Sequence, residues 1–345
     1  MYEALLSSVA FLVIVLSLRL YFPFAEKRGM LAGVNHRSSH SKPVITGAGY
    51  IFYISYIFYL VSFIFTQDPT PFPLFIGISM LALVSFIDDL KEVWFLIRLF
   101  VQFGSICLML YQIYLNQTLD IMAMNASFLI IMAILALFFS VGFVNLYNFM
   151  DGLNGMMGGI TLSALLMFGL IDYYVVDFID SSLILYTLIP TLVFMFCNAR
   201  KQPLCFSGDV GSIVLGFIMV YMLVSLLVAT SNMVYIFLFA SVFVEAGMTV
   251  VQRLLAGQNI FNPHRIHMFQ LLCNEYKKSH LVVSAFYALN QLVFGSIIVT
   301  LNFYQVGDLI QNIVVIALFA IEVFLYFFFK RRMMGGHLLE SLRNK

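Results

Sequence analysis

The sequence predicts an all-α, polytopic integral membrane protein with about eleven transmembrane helices, its N-terminus outside and its C-terminus in the cytoplasm. Composition, the length of the apolar runs and the sorting of the basic residues support this. Of 345 residues, 62% are hydrophobic and only 10% charged, with a mean hydropathy of +0.98. A soluble domain is about a quarter charged, so a water-soluble class is excluded. No nucleic-acid partner is expected.

Apolar runs of roughly 17–25 residues cross a bilayer as helices, and backbone groups in lipid must be satisfied internally. The first run, 4–24, lacks a basic segment before it and is read as a retained span rather than a cleaved leader. Next come 46–66, the short run 72–87, then 95–115 and 127–147. Run 157–175 holds Asp172, and 182–197 is again short. Runs 212–230 and 233–252 follow, the latter containing Glu245. The last two are 281–301 and 309–329, the latter containing Glu322.

Eleven spans place alternate loops on two sides. All 18 Lys and Arg fall on or near one of them, from Lys27 and Arg28 to the tail Lys330, Arg331 and Arg332. The other side carries Glu3, Asp68, Asp120, Asp177, Asp180 and Asp308. Positive charge stays cytoplasmic, which orients the chain. Lys330–Arg332 read as a topology and headgroup anchor. Residues 1–345 form a single transmembrane domain with no linker or repeat. The cysteines Cys107, Cys197, Cys205 and Cys273 show no paired spacing, so neither disulfide nor zinc site is expected.

Five polar clusters share the cytoplasmic side: RSSHSKPVITGAG (37–49), FIDDLKEV (86–93), NLYNFMDGLNGMMGG (145–159), FSGDVGS (206–212) and QNIFNPHRIHMFQLL (258–272). Together they present the carboxylates Asp88, Asp89, Asp151 and Asp209. Carboxylates crowded in one cleft repel and raise one another's pKa; a divalent cation relieves the conflict, and oxygen donors suit magnesium. Magnesium usually binds one or two carboxylates plus substrate phosphates, which implies a phosphorylated substrate. Glycine-rich turns before helices expose N–H groups to anions, and Arg37, Lys42, His264, Arg265 and His267 add cations or donors. Metal, phosphate cradle and cations are the parts of phosphoryl transfer. Each part taken singly has a blander reading: Asp-Asp is common at membrane ends, loop histidines are usually solvated, and glycines pack helices. Co-location lifts the set above these readings. Glu322 lies where a carboxylate is rare. Glu245 lies about eight residues before Arg253, roughly 12 Å deep, and is placed to support the site from below.

With these motifs in this order, the chain resembles the polyprenyl-phosphate N-acetylhexosamine-1-phosphate transferases of glycosyltransferase family 4. HRIH followed by Phe269-Gln270 resembles the O-antigen-initiating branch; the histidine triplet of the peptidoglycan branch is missing. The resemblance implies transfer of a sugar-1-phosphate from a UDP-N-acetylhexosamine to undecaprenyl phosphate at the bacterial inner membrane. UMP leaves on the cytoplasmic face, and the N-terminus lies in the periplasm. It implies magnesium, with manganese as the alternative, and admits a homodimer. By motif, Asp88 is the base that ionises the lipid phosphate, and Asp89 completes the acidic pair. Asp209 is the leading metal ligand. Asp151, with Asn145 and Asn148, holds the metal-bound diphosphate and the nucleotide sugar beside Gly152. His40 and Lys42 lie near the nucleotide, Arg98 matches a basic position after the Asp pair, and Asn198 matches an asparagine before GDVGS. His264, Arg265 and His267 hold the diphosphate or the sugar. Two positions depart from the pattern: Asn154 stands where many relatives have a second aspartate, though an asparagine there still binds uracil or sugar, and Ala48 interrupts a glycine run. The alternatives are the peptidoglycan pentapeptide-sugar transferase, and a transporter or flippase, which would need mid-membrane ionisable groups and paired broken helices.

Overall fold

The structure is a computed structural model that describes residues 2–32, 43–66, 71–116, 125–259 and 265–335. His40, Lys42 and His264 lie outside the described residues. Each apolar run becomes a helix: α1 (Tyr2–Arg28), α2 (Tyr50–Thr66), α3 (Phe72–Leu90), α4 (Phe95–Asn116), α5 (Ala126–Phe149), α6 (Met156–Tyr174), α7 (Ser181–Asn198) and α8 (Gly208–Thr230). The ninth span, Met233–Leu255, is composite. It comprises a 3-10 stretch (Met233–Phe239), the short α9 (Ala240–Val242), a π turn (Phe243–Gly247) and α10 (Met248–Leu255). A short α11 (Met268–Asn274) precedes the long helices α12 (His280–Phe303) and α13 (Asp308–Met333).

Ten of these spans are long and apolar enough to cross a bilayer. The eleventh, α2, has 17 residues, about 26 Å at 1.5 Å per residue. The uniform helix expected over 233–252 is the one departure in helix type. Its π turn inserts a residue into the ladder and re-aims Glu245, the kind of bulge often found at functional sites.

Burial defines two layers. The apolar window of α8 is 78% buried and that of α13 only 11%, so α8 is the central post and α13 a lipid-facing wall. Helices α2, α3, α5 and α6 pack around α8, and α12 packs on α6. The outer helices expose large apolar side chains such as Leu20, Leu309 and Phe324, as lipid contact requires. Glu322 is not stranded in this wall: it accepts from Asn290 Nδ2 at 2.5 Å, and Asn290 also donates to Ser241 at 2.9 Å.

At one end of the bundle two loops are joined. Strands β1 (Leu31–Ala32) and β2 (Val44–Ile45) pair antiparallel, and Ile45 bridges to Cys205. Phe206 N–H donates to Ile45 O at 2.7 Å, and Gly49 N–H to Ser207 O at 2.8 Å. Here Gly49 and Gly211 touch backbone to backbone: a Cβ on Gly211 would lie 2.8 Å from Gly49 Cα. The interrupted glycine run costs nothing at this contact, because Gly49 makes the approach while Ala48 is simply buried.

One residue of the expected headgroup anchor is elsewhere. Lys330 is fully buried, with its ammonium on Tyr326 OH (2.6 Å) and Thr249 Oγ1 (3.0 Å). Arg331 and Arg332 are exposed.

Candidate active site at the head of the central helix

The turn Ser207–Val210, which starts α8, is where the acidic residues meet. Gly208 takes φ +69°, and a Cβ there would run into the Asp89 carboxylate, so the chain needs glycine at this bend. Asp89, from the end of α3, accepts from Asp209 N at 2.8 Å and Val210 N at 3.1 Å. The Asp151 carboxylate, from the α5–α6 loop, accepts from the Ser207 hydroxyl. Asp88 accepts from Val93 N at 2.7 Å and pairs with Arg98 at 2.5 Å. The same Arg98 nitrogen lies 3.5 Å from Asp209 Oδ2. Asn148 accepts from Ser212 Oγ at 2.6 Å. Thus Asp88, Asp89, Asp151, Asp209, Arg98 and Asn148, drawn from four segments, share one cleft.

Their states differ. The Asp209 side chain is 37% exposed and that of Asp88 only 7%. Asp209 is therefore the open carboxylate and Asp88 an engaged one. Burial pushes the Asp151 carboxyl up to about 7; the Ser207 hydrogen bond opposes this, while Asp209 and Asp89 add to it.

The expected anion cradles are already filled by the protein. The first N–H groups of α8 point at Asp89, a carboxylate drawn to the positive end of the helix. At the start of α6, Gly155 N–H donates to Asn198 Oδ1 at 2.7 Å. Asn198 Nδ2 donates to Cys205 O at 2.9 Å, so its amide braces two loops instead of facing substrate. Asn154 likewise donates to Arg200 O at 2.8 Å and is buried. Asn145 donates to Gln102 Oε1 at 2.9 Å and Val141 O at 2.8 Å.

The second half of the site is the loop before α11. Arg265 is half-buried, while His267 is buried. The His267 ring stacks on Phe269 (5.1 Å, 15°) and lies 6.1 Å from Phe149. Gly152 is needed beneath this loop, since a Cβ there would meet the Phe269 ring. Burial holds the His267 imidazole below its usual pKa, with Glu245 opposing. The expected role for His267, direct contact with a diphosphate or sugar, is not the one its burial describes. Sequence reasoning missed Gln102 and Ser207. Gln102 had a signal, an amide four residues after Arg98 in an apolar run; Ser207 had none beyond its place beside Gly208.

Among the described residues, no three His, Cys, Asp or Glu side chains form a ready-made cation cage. The donor chemistry nevertheless fits a hard divalent ion: oxygen ligands only, one open carboxylate and acidic neighbours. Magnesium commonly takes the rest of its shell from water and substrate phosphates. Asp209 and Asp151 would hold it.

This bundle, with an acidic cluster at the head of its central helix, is that of a polytopic membrane protein. Residues 72–227 match the model of glycosyl transferase family 4. Among curated proteins it is similar to the phospho-N-acetylmuramoyl-pentapeptide-transferase of Listeria monocytogenes serotype 4b, with 26% identity over 229 residues, 61% of this chain and 70% of the relative. It is also similar to the enzyme of that name from Enterococcus hirae, with 24% identity over 222 residues, 60% of this chain and 68% of the relative.

Proposed function

We propose that the protein transfers N-acetylhexosamine-1-phosphate from a UDP-sugar to undecaprenyl phosphate, releases UMP, and so starts a lipid-linked O-antigen or other envelope polysaccharide. The carrying observation is the convergence of Asp88, Asp89 and Asp151 on the Ser207–Val210 turn beside Arg98. An acidic cleft at a bundle end suits a reaction between a soluble nucleotide and a lipid-borne phosphate. The basic loops on the same side favour the cytoplasmic face of the inner membrane.

A lipid phosphate oxygen bonds to the β-phosphorus as the bond to the bridging oxygen breaks; that oxygen leaves with UMP. Bound magnesium supplies charge neutralisation at the diphosphate. Arg98 lies between Asp88 and Asp209 and can turn to an arriving phosphate. Asp88 orients Arg98 and is the candidate proton acceptor if the lipid phosphate arrives monoprotonated. Asp89 holds the head of α8 in place, and Asp151 fixes Ser207. Asn148 sets Ser212, and the loop that carries Arg265 docks on the Asn145–Gly159 segment through His267 and Phe269.

The relatives' names favour a second reading, in which the donor is the pentapeptide-bearing sugar nucleotide of peptidoglycan synthesis. The missing histidine triplet speaks against it. UMP release from purified protein, undecaprenyl phosphate and a donor panel decides between them. Turnover confined to UDP-N-acetylhexosamines supports the first reading, and turnover of the pentapeptide donor alone the second. No release from any donor would end both.

A further inference from the structure

A second polar cluster lies beneath the Arg265–His267 loop, outside the acidic cleft. Its centre is Glu245, fully buried on the π turn of the ninth span. Glu245 accepts from Met268 N at 2.7 Å and from the Tyr287 hydroxyl of α12, and its Oε1 lies 3.4 Å from His267 Nδ1. Lys330 of α13 acts on the same carboxylate electrostatically. Tyr326 ties Lys330 to the backbone of the π turn: its hydroxyl accepts from the Lys330 ammonium at 2.6 Å, meets Thr249 Oγ1 at 2.8 Å and lies 3.5 Å from the Glu245 backbone carbonyl oxygen.

Two features make this more than a buried ion pair. First, Glu245 commits one oxygen, Oε1, to the loop: it holds the backbone N–H of Met268 and faces the ring of His267, while Oε2 is anchored by Tyr287 of α12. Second, that loop docks on the far side to the Asn145–Gly159 segment, through Phe149 against His267 and Phe269 against Gly152. Arg265, two residues before His267, is the half-open cation the loop carries. A buried carboxylate without partners is strongly unfavourable, so Glu245 holds the loop and Lys330 balances Glu245.

We infer that Glu245 and Lys330 form a charge-balanced latch that fixes the Arg265–Met268 loop, and so Arg265, beside the acidic cleft. Glu245 is a positioning residue, not a catalytic one. Helix α13, beyond the segment matched to the family, thereby belongs to the scaffold of the site. This rests on the transferase reading above for its kinetic part only.

The test compares wild type, Glu245→Gln, Lys330→Met and the double variant in nanodiscs. Each single change is expected to raise KM for the nucleotide sugar on the order of 10-fold, with less effect on kcat. The double variant should lose less than the product of the two, as coupled neighbours do. The 15N signals of the His267 ring, assigned with His267→Asn, should move in both single variants, although Lys330 does not touch that ring. If a single variant fails to fold, recovery of folding in the double supports the charge balance, and failure of the double as well opposes it. Lys330→Met with wild-type KM and an unmoved His267 signal overturns the latch, as does lower stability with unchanged KM. The spectra need no turnover, so a wild type inactive on every donor would defeat the proposed function while the latch is still decided.

Discussion

At the head of α8 four carboxylates cluster and two of them, Asp88 and Asp209, face one guanidinium, whereas beneath the Arg265–Met268 loop one carboxylate faces an imidazole with an ammonium nearby. The first group is acidic in excess and half open: the Asp209 side chain is 37% exposed. The second is balanced and closed, with Glu245 and Lys330 both fully buried. Excess charge at a cleft is costly until a ligand of opposite sign arrives. A closed, balanced set has nothing left to bind and can only hold structure. Both lie near the same end of the bundle, so charge balance, more than position, separates the binding site from its support.

The largest expected effect breaks the acidic side of this comparison. Asp209→Asn removes the open carboxylate while leaving its backbone N–H on Asp89. UMP release should fall by about 10²–10³-fold or more, the scale for losing one preorganised electrostatic group. Thermal stability should hold or rise, since a repelling charge is gone. Full activity in this variant would remove the cluster from the chemistry.

The next effect concerns pH. Burial puts the Asp151 carboxyl at about 7, so it is protonated below and ionised above that value. A divalent cation must displace this proton. Apparent magnesium affinity should therefore weaken about tenfold per pH unit below 7 and level off above it. Asp151→Asn should weaken magnesium binding at every pH and make the profile shallower, since the remaining carboxylates still compete with protons. Magnesium titration of UMP release between about pH 5.5 and 8.5 measures it; an unchanged slope in the variant would detach Asp151 from the metal.

Much of this was legible in the sequence, and what was not has physical reasons. Helix number followed from run length, because lipid enforces helices wherever a run is long and apolar. Convergence of Asp88, Asp151 and Asp209 followed from charge sorting, which put their loops on one side. Partnership was not legible. Nothing in the spacing of Asp88 and Asp89 says that one pairs with Arg98 and the other caps α8. That depends on how α3 is rotated against α8. Asn154 read as a substrate group because an amide suits uracil and sugars, and Asn198 by its place before GDVGS, but amides suit backbone equally well. The π turn at Glu245 left no trace in an apolar run of ordinary composition.

A packing change sharpens the same boundary. Gly49→Ala puts a methyl into Gly211 at the loop junction that carries the acidic turn. Overpacking of this kind costs about 1–3 kcal/mol, read as a lower midpoint of thermal unfolding with an equal or larger fall in activity. Asn154→Asp, which installs the aspartate of the resembled motif, is expected to cost about 1–3 kcal/mol as well. It removes the donor to Arg200 O and sets two acceptors against each other. A gain in activity from that change would instead put residue 154 in contact with substrate or metal.

The smallest effect isolates burial from charge. Lys330 and Arg332 are two residues apart in one basic tail and looked alike as membrane anchors. Position 330 faces inward to Tyr326 and Thr249, while Arg332 faces out. On a helix, residues two apart point to nearly opposite sides, so one can be scaffold and the other solvated. Arg332→Gln should therefore change stability by less than about 0.5 kcal/mol, as surface substitutions do, and leave KM for the nucleotide sugar unaltered. Thermal unfolding and donor titration of this variant beside Lys330→Met give the contrast directly. Equal losses from both would mean that the tail acts through its summed charge on the membrane surface, and the distinction between a closed scaffold and an open site would not extend to α13.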